Sequence, residues 1–312
     1  MSYIVVLNPL ILGSVSADAP GAKRDVLGAV LPVPQVAAVT ALVAGVMTLL
    51  FGLVANYPFA IATGLGINTL VAVTIAPRVS WPEAMGLVVV DGLIIMLLAA
   101  TGFRTAVFTA VPAELKAAIA VGIGLFISFI GLVNAGFVRR IPDAANTTVP
   151  VTLGTGGSIA SWPTVVFVVG LMLTGVLVAR GVRAAILLGV LASTVLAIVV
   201  EAIAKVGPSR GAHSQGWSLG YPALPERVVG LPDLSLVGDV SFGAFTRLPV
   251  LTVSLLVFTL VLANFFDAMG TMTGLGQQAG LLRPDGQLPQ VGRALGVEGL
   301  GAAVGGAASS SS

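Results

Sequence analysis

The stretch LVLANFFDAMGTMTGLG, residues 260–276, decides the fold of this chain, because it places polar side chains inside an otherwise apolar run. Asn264, Asp267 and Thr271 follow one another at positions i, i+3 and i+7, so a helix would present all three on one face. An ionisable side chain at membrane depth is costly and normally faces a protein interior or a water-filled cavity. The spacing predicts a polar face on a membrane helix, with Asp267 as the first candidate for chemistry. The alternative is a helix that ends near Phe266 and leaves Asp267 at the membrane interface.

The composition is that of a polytopic membrane protein. Hydrophobic residues make up 56% of the 312 residues and charged residues only 9%, whereas about 25% of the residues in a soluble domain are charged. The apolar runs, at about 17 to 23 residues each, are long enough to cross a hydrocarbon core of about 30 Å as helices. We therefore expect an all-α protein embedded in a lipid bilayer.

Several classes of function are excluded by the residue types present. The chain has no cysteine, which removes disulfides, thiolate catalysis and Cys-based metal sites. The formal net charge is +2 and the basic residues are scattered, so nucleic acid is not an expected partner. No apolar run carries a His/Cys cluster, a Gly-x-Ser-x-Gly elbow or a pair of residues at metal-ligand spacing. The sequence therefore predicts neither an enzyme nor a metal site.

A second polar interruption lies in the string ATGLGINTL, residues 62–70, inside the apolar run 59–75. Gly64 and Gly66 each lower helix propensity by about 1 kcal/mol, and β-branched neighbours favour extended backbone. Non-helical backbone at membrane depth is tolerated only where protein or a wet cavity satisfies its polar groups. The string predicts a membrane span broken by a short extended segment. The alternative is a Gly-rich helix packed closely on a neighbour.

Asp91 lies near the centre of the apolar run 81–103. An aspartate at this depth cannot face lipid as an anion. The sequence shows no partner for it. Asp91 is therefore either a structural acid, protonated or hydrogen-bonded, or part of a transport site.

The apolar runs divide the chain into an earlier and a later block. Residues 206–246 are polar and rich in Pro and Gly, so we expect an extramembrane loop there. Residues 1–205 would hold spans one to seven, with a short first span, and residues 247–312 would hold spans eight and nine and the beginning of a tenth. Lys and Arg are similarly frequent in alternate loops, so charge bias does not assign the orientation.

Five strings in this chain resemble the nucleobase permeases of the nucleobase–cation symporter-2 group, within the xanthine/uracil permease superfamily. More narrowly, they resemble the bacterial and fungal hypoxanthine/adenine/guanine permease subfamily, and the resemblance covers essentially the whole chain. In chain order, the strings are SYIVVLNPLIL, LVANYPFAIATGLGINTL, AAIAVGIGLFISFIGLVNAG, NFFDAMGTMTGLG and AGLLRPDGQLPQVGRAL.

The resemblance implies a transporter fold of two seven-span repeats with inverted topology, arranged as a core and a gate domain. The third and tenth spans would be broken by extended segments, and the nucleobase would bind between them, beside the eighth span. Relative to this pattern, Met1 falls inside the first span and the chain stops at Ser312, before a glutamate of the tenth span. We therefore expect a fragment truncated after about nine spans.

The resemblance also implies site residues. Gly66 and Asn68 would belong to the substrate site, and Asn264 and Asp267 would occupy the acidic positions of an Asp-x-x-Asp pattern. Asn264 departs from that pattern, because it is an asparagine where the pattern has an aspartate. Its amide can donate and accept hydrogen bonds to a purine edge, but it cannot carry a proton. Proton coupling would then use Asp267 or Asp91. No cofactor is implied beyond the coupling ion, and sodium in place of the proton stays open.

The resemblance thus predicts an importer of purine nucleobases (hypoxanthine, adenine, guanine) by proton symport. It would be a multi-pass protein of the inner (plasma) membrane, with a homodimer implied by the family. One alternative is an anion carrier of the sulfate-permease type, which shares the overall fold but would favour a basic group at its site. The other alternative is a truncated remnant that does not transport.

Overall fold

The computed structural model describes residues 4–14, 22–140, 151–154, 157–209, 215–217, 221–223, 230–281 and 288–311. This part of the chain is largely helical. The helices are α1 (Ile4–Leu12), α2 (Val33–Leu50), α3 (Leu65–Leu70), α4 (Trp81–Ala100), α5 (Phe103–Ala110), α6 (Ala113–Asn134), α7 (Trp162–Ala179), α8 (Ala185–Ala204), α9 (Ala244–Arg247), α10 (Val250–Gln278) and α11 (Val291–Ala307). Short π-helical segments, Phe51–Ala55 and Val71–Ile75, extend α2 and α3.

Short strands connect some of these helices. β1 (Gly13–Ser14) pairs in parallel with β2 (Leu31–Pro32), with Gly13 opposite Leu31. β3 (Val138–Arg140) pairs antiparallel with β4 (Val151–Leu153). Neither pair reaches the length of a membrane strand, so the spans are helical as the composition predicts.

Six helical stretches within the described residues are long and apolar enough to cross a membrane. They are Val33–Ala55, Trp81–Ala100, Glu114–Asn134, Trp162–Ala179, Ala185–Ala204 and Val250–Gln278. Large apolar side chains such as Leu53, Leu97 and Leu171 are 82%, 64% and 61% exposed, as expected for surfaces that meet lipid. The polytopic membrane architecture is therefore confirmed, whereas the inverted repeat and its number of spans stay predictions.

The predicted break in the third span is present, and it lies mainly before the glycine string. Residues 56–64 are non-helical, and α3 begins only after Gly64, whose backbone is extended (φ −73°, ψ 120°). Asn56 turns the chain into this segment with a left-handed φ of 57°. Gly66 lies inside α3, so the extended backbone ends at Gly64.

The chain forms two compact units, Met1–Ile123 with Leu231–Ser312, and Gly124–Gly230. In the second unit, α7 and α8 pack together where Gly170 faces Ser193 and Gly189 faces Thr174. The predicted organisation into residues 1–205, 206–246 and 247–312 concerns the order of the spans and stays a prediction.

In the first unit, α4 and α11 approach each other closely through glycines. A Cβ on Gly92 would lie 2.6 Å from Ala303 Cα, and one on Gly299 would lie 2.9 Å from the Met96 backbone nitrogen. Small residues allow helix backbones to pack closely inside a membrane. α11 therefore packs tightly along α4.

Candidate functional site

A cavity of about 110 Å³ lies inside the first unit, between α2, the non-helical segment 56–64, α10 and α11. This volume is the space open to the centre of a water molecule, and one buried water needs about 10–15 Å³ by that measure. The cavity is therefore large enough for a small planar ligand.

α10 supplies the polar wall of the cavity. Asn264, Asp267 and Thr271 all line it, as their spacing predicts for one helix face. α10 continues without interruption to Gln278. The alternative in which the helix ends near Phe266 is therefore wrong, and Asp267 lies inside α10 rather than at a helix end.

The segment 56–64 forms the opposite wall, with Phe59, Ile61, Thr63 and Gly64 among its lining residues. Gly64 touches α10: a Cβ added there would lie 2.5 Å from Asp267 Oδ2. Only a glycine therefore lets the backbone approach this carboxylate without displacing it.

Thr48 on α2 provides hydrogen-bond partners for the non-helical backbone of this segment. The amide of Ile61 donates to Thr48 Oγ1 at 3.1 Å, and the same hydroxyl donates to the Ile61 carbonyl at 3.2 Å. Non-helical backbone at membrane depth needs such partners. Thr48 therefore stabilises the irregular wall from behind.

Aromatic rings complete the apolar part of the cavity. Phe51, Tyr57 and Phe59 form a triangular cluster: the Tyr57 ring centroid lies 5.4 Å from that of Phe51 and 5.2 Å from that of Phe59, and the two phenylalanine centroids are 6.1 Å apart. Its hydroxyl donates to the carbonyl of Pro289. Phe51 and Phe59 line the cavity, so an aromatic surface borders the polar face of α10.

Asp91 lies one layer behind the cavity. It is fully buried, and its Oδ2 accepts a hydrogen bond of 3.0 Å from Asn264 Nδ2. Its Oδ1 has no hydrogen-bond partner among the described residues. The partner that the sequence does not reveal is therefore Asn264, which connects Asp91 to the cavity wall.

Asn68 and Gly66 do not line the cavity in the structure. Asn68 is fully buried, and its Nδ2 donates to Asn8 Oδ1 at 2.5 Å and to Thr63 Oγ1 at 3.1 Å. Asn8 Nδ2 in turn donates to Thr40 Oγ1 at 2.8 Å and to the carbonyl of Ser310 at 2.9 Å. Gly66 is exposed on α3. Asn68 therefore holds the segment through Thr63, and the lining glycine is Gly64.

Two charged residues at this site are not among those predicted from the sequence. Glu298 on α11 lines the cavity, and the buried Arg104 lies 2.6 Å from its Oε2. Glu298 could have been found by the signal that marks Asp91, an acid within an apolar run. Arg104 carries no such signal, because arginine is common where an apolar run ends. Among the described residues, no group of His, Asp and Glu could hold a metal ion.

The chain is similar to curated purine permeases. It is 34% identical over 303 residues to the guanine/hypoxanthine permease PbuG of Bacillus subtilis (strain 168), over 95% of this chain and 60% of that protein. It is 32% identical over 299 residues to the guanine/hypoxanthine permease PbuO of the same organism, and the match covers 95% of this chain and 60% of that protein. It is 29% identical over 308 residues to the adenine permease AdeP of Escherichia coli (strain K12), and the match covers 98% of this chain and 59% of that protein.

The family assignment rests on the full length of this sequence. The chain spans about 60% of the length of the curated relatives described above. The profile of the permease family Xan_ur_permease matches residues 1–312. Given this match and the six candidate spans, the chain belongs to this permease family and is a membrane protein.

Proposed function

We propose that the protein containing this chain carries purine nucleobases across the inner membrane. The observation that carries the proposal is the cavity in which Asn264 and Asp267 on α10 face the non-helical segment 56–64. An amide beside a carboxyl group offers donors and acceptors that match a purine edge. The names of the relatives, guanine/hypoxanthine permease and adenine permease, support a purine as the ligand.

The cavity walls suit a flat, uncharged base. Phe51, Phe59 and Met47 offer apolar surface, and Asn264 and Asp267 offer polar groups. Small-ligand sites are mostly apolar, with a few polar groups that fix the orientation of the ligand. A purine would therefore lie against the aromatic surface and direct its ring edge toward α10.

Asp267 is the proposed coupling acid, with Asp91 as the second candidate. Asp267 lines the cavity and accepts no hydrogen bond from the described residues, whereas Asp91 lies behind Asn264. A proton on Asp267 would remove its charge and lower the cost of carrying the loaded site through the membrane. Movement of a core domain against a gate domain would then alternate access.

The lining residues argue against an anion carrier. Asp267 and Glu298 both face the cavity, and neither lysine nor arginine is among the described lining residues. A sulfate ion at this position would meet carboxylates without a facing cation. The relatives described above are named for purines, which points the same way.

The proposal is tested by uptake of radiolabelled hypoxanthine into a bacterial strain without its own purine permeases. The protein as its gene encodes it is expressed, and adenine, guanine and sulfate are added as competitors. We expect competition by the purines, none by sulfate, and loss of accumulation when a protonophore collapses the proton gradient.

Other outcomes would change the proposal in distinct ways. Sulfate uptake that ignores purines would support the anion carrier. Accumulation that follows sodium and survives the protonophore would replace the proton as coupling ion. Absence of uptake and of purine binding would support a remnant that does not transport.

A further inference from the structure

Arg104 on α5 is buried beside the cavity without lining it. None of its side-chain surface is exposed. A guanidinium keeps its charge in proteins, so its burial requires a compensating anion and hydrogen-bond acceptors. Arg104 is therefore placed for a task that an exposed arginine at the membrane interface would not have.

Both polar contacts of the Arg104 guanidinium are made with α11. Nη2 lies 2.6 Å from Glu298 Oε2, and Nη1 donates to the carbonyl of Leu295 at 2.9 Å. Leu295 and Glu298 are three residues apart, so one planar guanidinium bridges about one turn of the helix. Arg104 is thus anchored to α11 by the Leu295 carbonyl and places its positive charge directly beside the Glu298 carboxylate.

Neighbouring helices enclose the ion pair on the side away from the cavity. The Phe265 ring lies 5.8 Å from the Arg104 guanidinium carbon. A Cβ on Gly292 would come within 3.2 Å of Thr105 Oγ1, which shows how closely α5 and α11 approach each other. The pair is therefore held between packed helices, and only Glu298 reaches the cavity.

Two further carboxylates, those of Asp267 and Asp91, lie near Glu298, so the positive charge of Arg104 is set among several acids. Asp267 lines the same cavity as Glu298, and Asp91 lies behind it with the amide of Asn264 as its partner. Like charges gathered in a low-dielectric site repel one another. Arg104 offsets the charge of Glu298, the acid that it contacts.

We propose that Arg104 is a positioning residue that holds Glu298 as a carboxylate at the cavity wall, where it accepts a hydrogen bond from a ring N–H of the purine. The inference rests on the proposed function, because it assigns an acceptor to the same ligand. Asn264 provides an amide at the α10 wall, and Glu298 provides a fixed acceptor at the α11 wall.

The test is a double-mutant cycle on hypoxanthine binding. The dissociation constant for tritiated hypoxanthine is measured by scintillation proximity with the protein as its gene encodes it, purified in detergent. We expect Arg104→Gln and Glu298→Gln each to weaken binding by about tenfold, the scale of a hydrogen bond to a charged group. The double variant should bind no more weakly than either single variant, because Arg104 acts through Glu298.

Conservative and control variants separate positioning from general stability. Arg104→Lys should recover part of the lost affinity, because it keeps the charge but lacks the two separate nitrogens, Nη1 and Nη2, with which arginine reaches Leu295 and Glu298. Arg293→Gln is the matched control, since Arg293 is an exposed arginine on α11, the helix that carries Glu298. We expect Arg293→Gln to bind within twofold of the unmodified protein.

The cycle has clear contrary outcomes. Binding by Arg104→Gln within twofold of the unmodified protein, or a double variant weakened by the product of the two single effects, would overturn the inference alone. If Arg104→Gln does not fold, the comparison of Glu298→Gln with the double variant decides: equal affinities support the inference, and a further tenfold loss overturns it. An unmodified protein that binds none of the purines overturns the proposed function together with this inference.

Discussion

The two facing walls of the cavity are built in opposite ways. The α10 wall is one continuous helix from Val250 to Gln278, whose own backbone hydrogen bonds hold Asn264 and Asp267 in place. The segment 56–64 has no such internal ladder and depends on the side chains of Thr48 and Asn68. The irregular wall should therefore be sensitive to residues that never touch the ligand, whereas the helical wall should be sensitive only to those that do.

The substitution with the largest expected effect breaks the contact between the two walls. Gly64→Ala adds a Cβ that would lie 2.5 Å from Asp267 Oδ2 and 3.3 Å from Ile67 Cδ1, so the carboxylate or the segment must move. We expect hypoxanthine uptake to fall by about 100-fold, the scale of a misplacement of about 1 Å at a site.

Gly66→Ala is the control for this change, because Gly66 is exposed inside α3. Alanine should favour the helix by up to about 1 kcal/mol there, and we expect uptake within threefold of the unmodified protein. Loss of uptake in Gly66→Ala with normal uptake in Gly64→Ala would reverse the assignment and return Gly66 to the substrate site.

The next effect removes the proposed coupling acid from the helical wall. Asp267→Asn keeps the shape of the side chain but removes its charge and its proton site. We expect purine accumulation to fall by about 10- to 100-fold, as for loss of a hydrogen bond to a charged group together with coupling. The measurement is accumulation of labelled hypoxanthine with and without a protonophore.

Asp233→Asn is the control for Asp267→Asn. Asp233 is an exposed aspartate whose Oδ2 accepts a hydrogen bond from Gln35 at 2.7 Å, so its loss should leave accumulation nearly unchanged. Full accumulation by Asp267→Asn that still collapses with the protonophore would transfer the coupling role to Asp91.

The sequence allowed the helical wall to be predicted in more detail than the irregular one. Helical periodicity converts the spacing of Asn264, Asp267 and Thr271 directly into a shared face, and all three line the cavity. A non-helical segment has no fixed period, so the glycines at 64 and 66 could mark a break but not show which of them faces the ligand. The outcome is that Gly64 contacts Asp267 while Gly66 is exposed.

Contacts between distant parts of the chain also lay beyond sequence reasoning. Asn264 and Asp91 are 173 residues apart and meet only because α4 and α10 pack together. Arg104 and Glu298 meet in the same way across α5 and α11. No local pattern encodes such a pair, although a lone acid within an apolar run, such as Asp91 or Glu298, can be recognised as buried.

A moderate effect tests the support of the irregular wall through Asn68. Asn68→Ala removes the donor that Thr63 Oγ1 and Asn8 Oδ1 share, and leaves these buried polar groups without it. An unsatisfied buried group costs about 1–3 kcal/mol, so we expect a lower melting temperature in detergent and a KM for hypoxanthine raised by about tenfold. A raised KM with an unchanged melting temperature would instead indicate direct contact of Asn68 with the base.

The smallest expected effect removes one hydroxyl behind the irregular wall. Thr48→Val keeps the side-chain volume but takes away the partner of both the Ile61 amide and the Ile61 carbonyl. We expect the free energy of unfolding to fall by about 2 kcal/mol and the KM for hypoxanthine to rise by about threefold, because the segment loosens without losing a ligand contact.

Thr259→Val on α10 is the matched control, since Thr259 is exposed and its hydroxyl donates only to Leu255 within the same helix. If both valine variants behave alike, the difference between a self-supported wall and an externally supported one disappears. If only Thr48→Val changes the KM, the binding geometry of this cavity depends on a residue that does not line it.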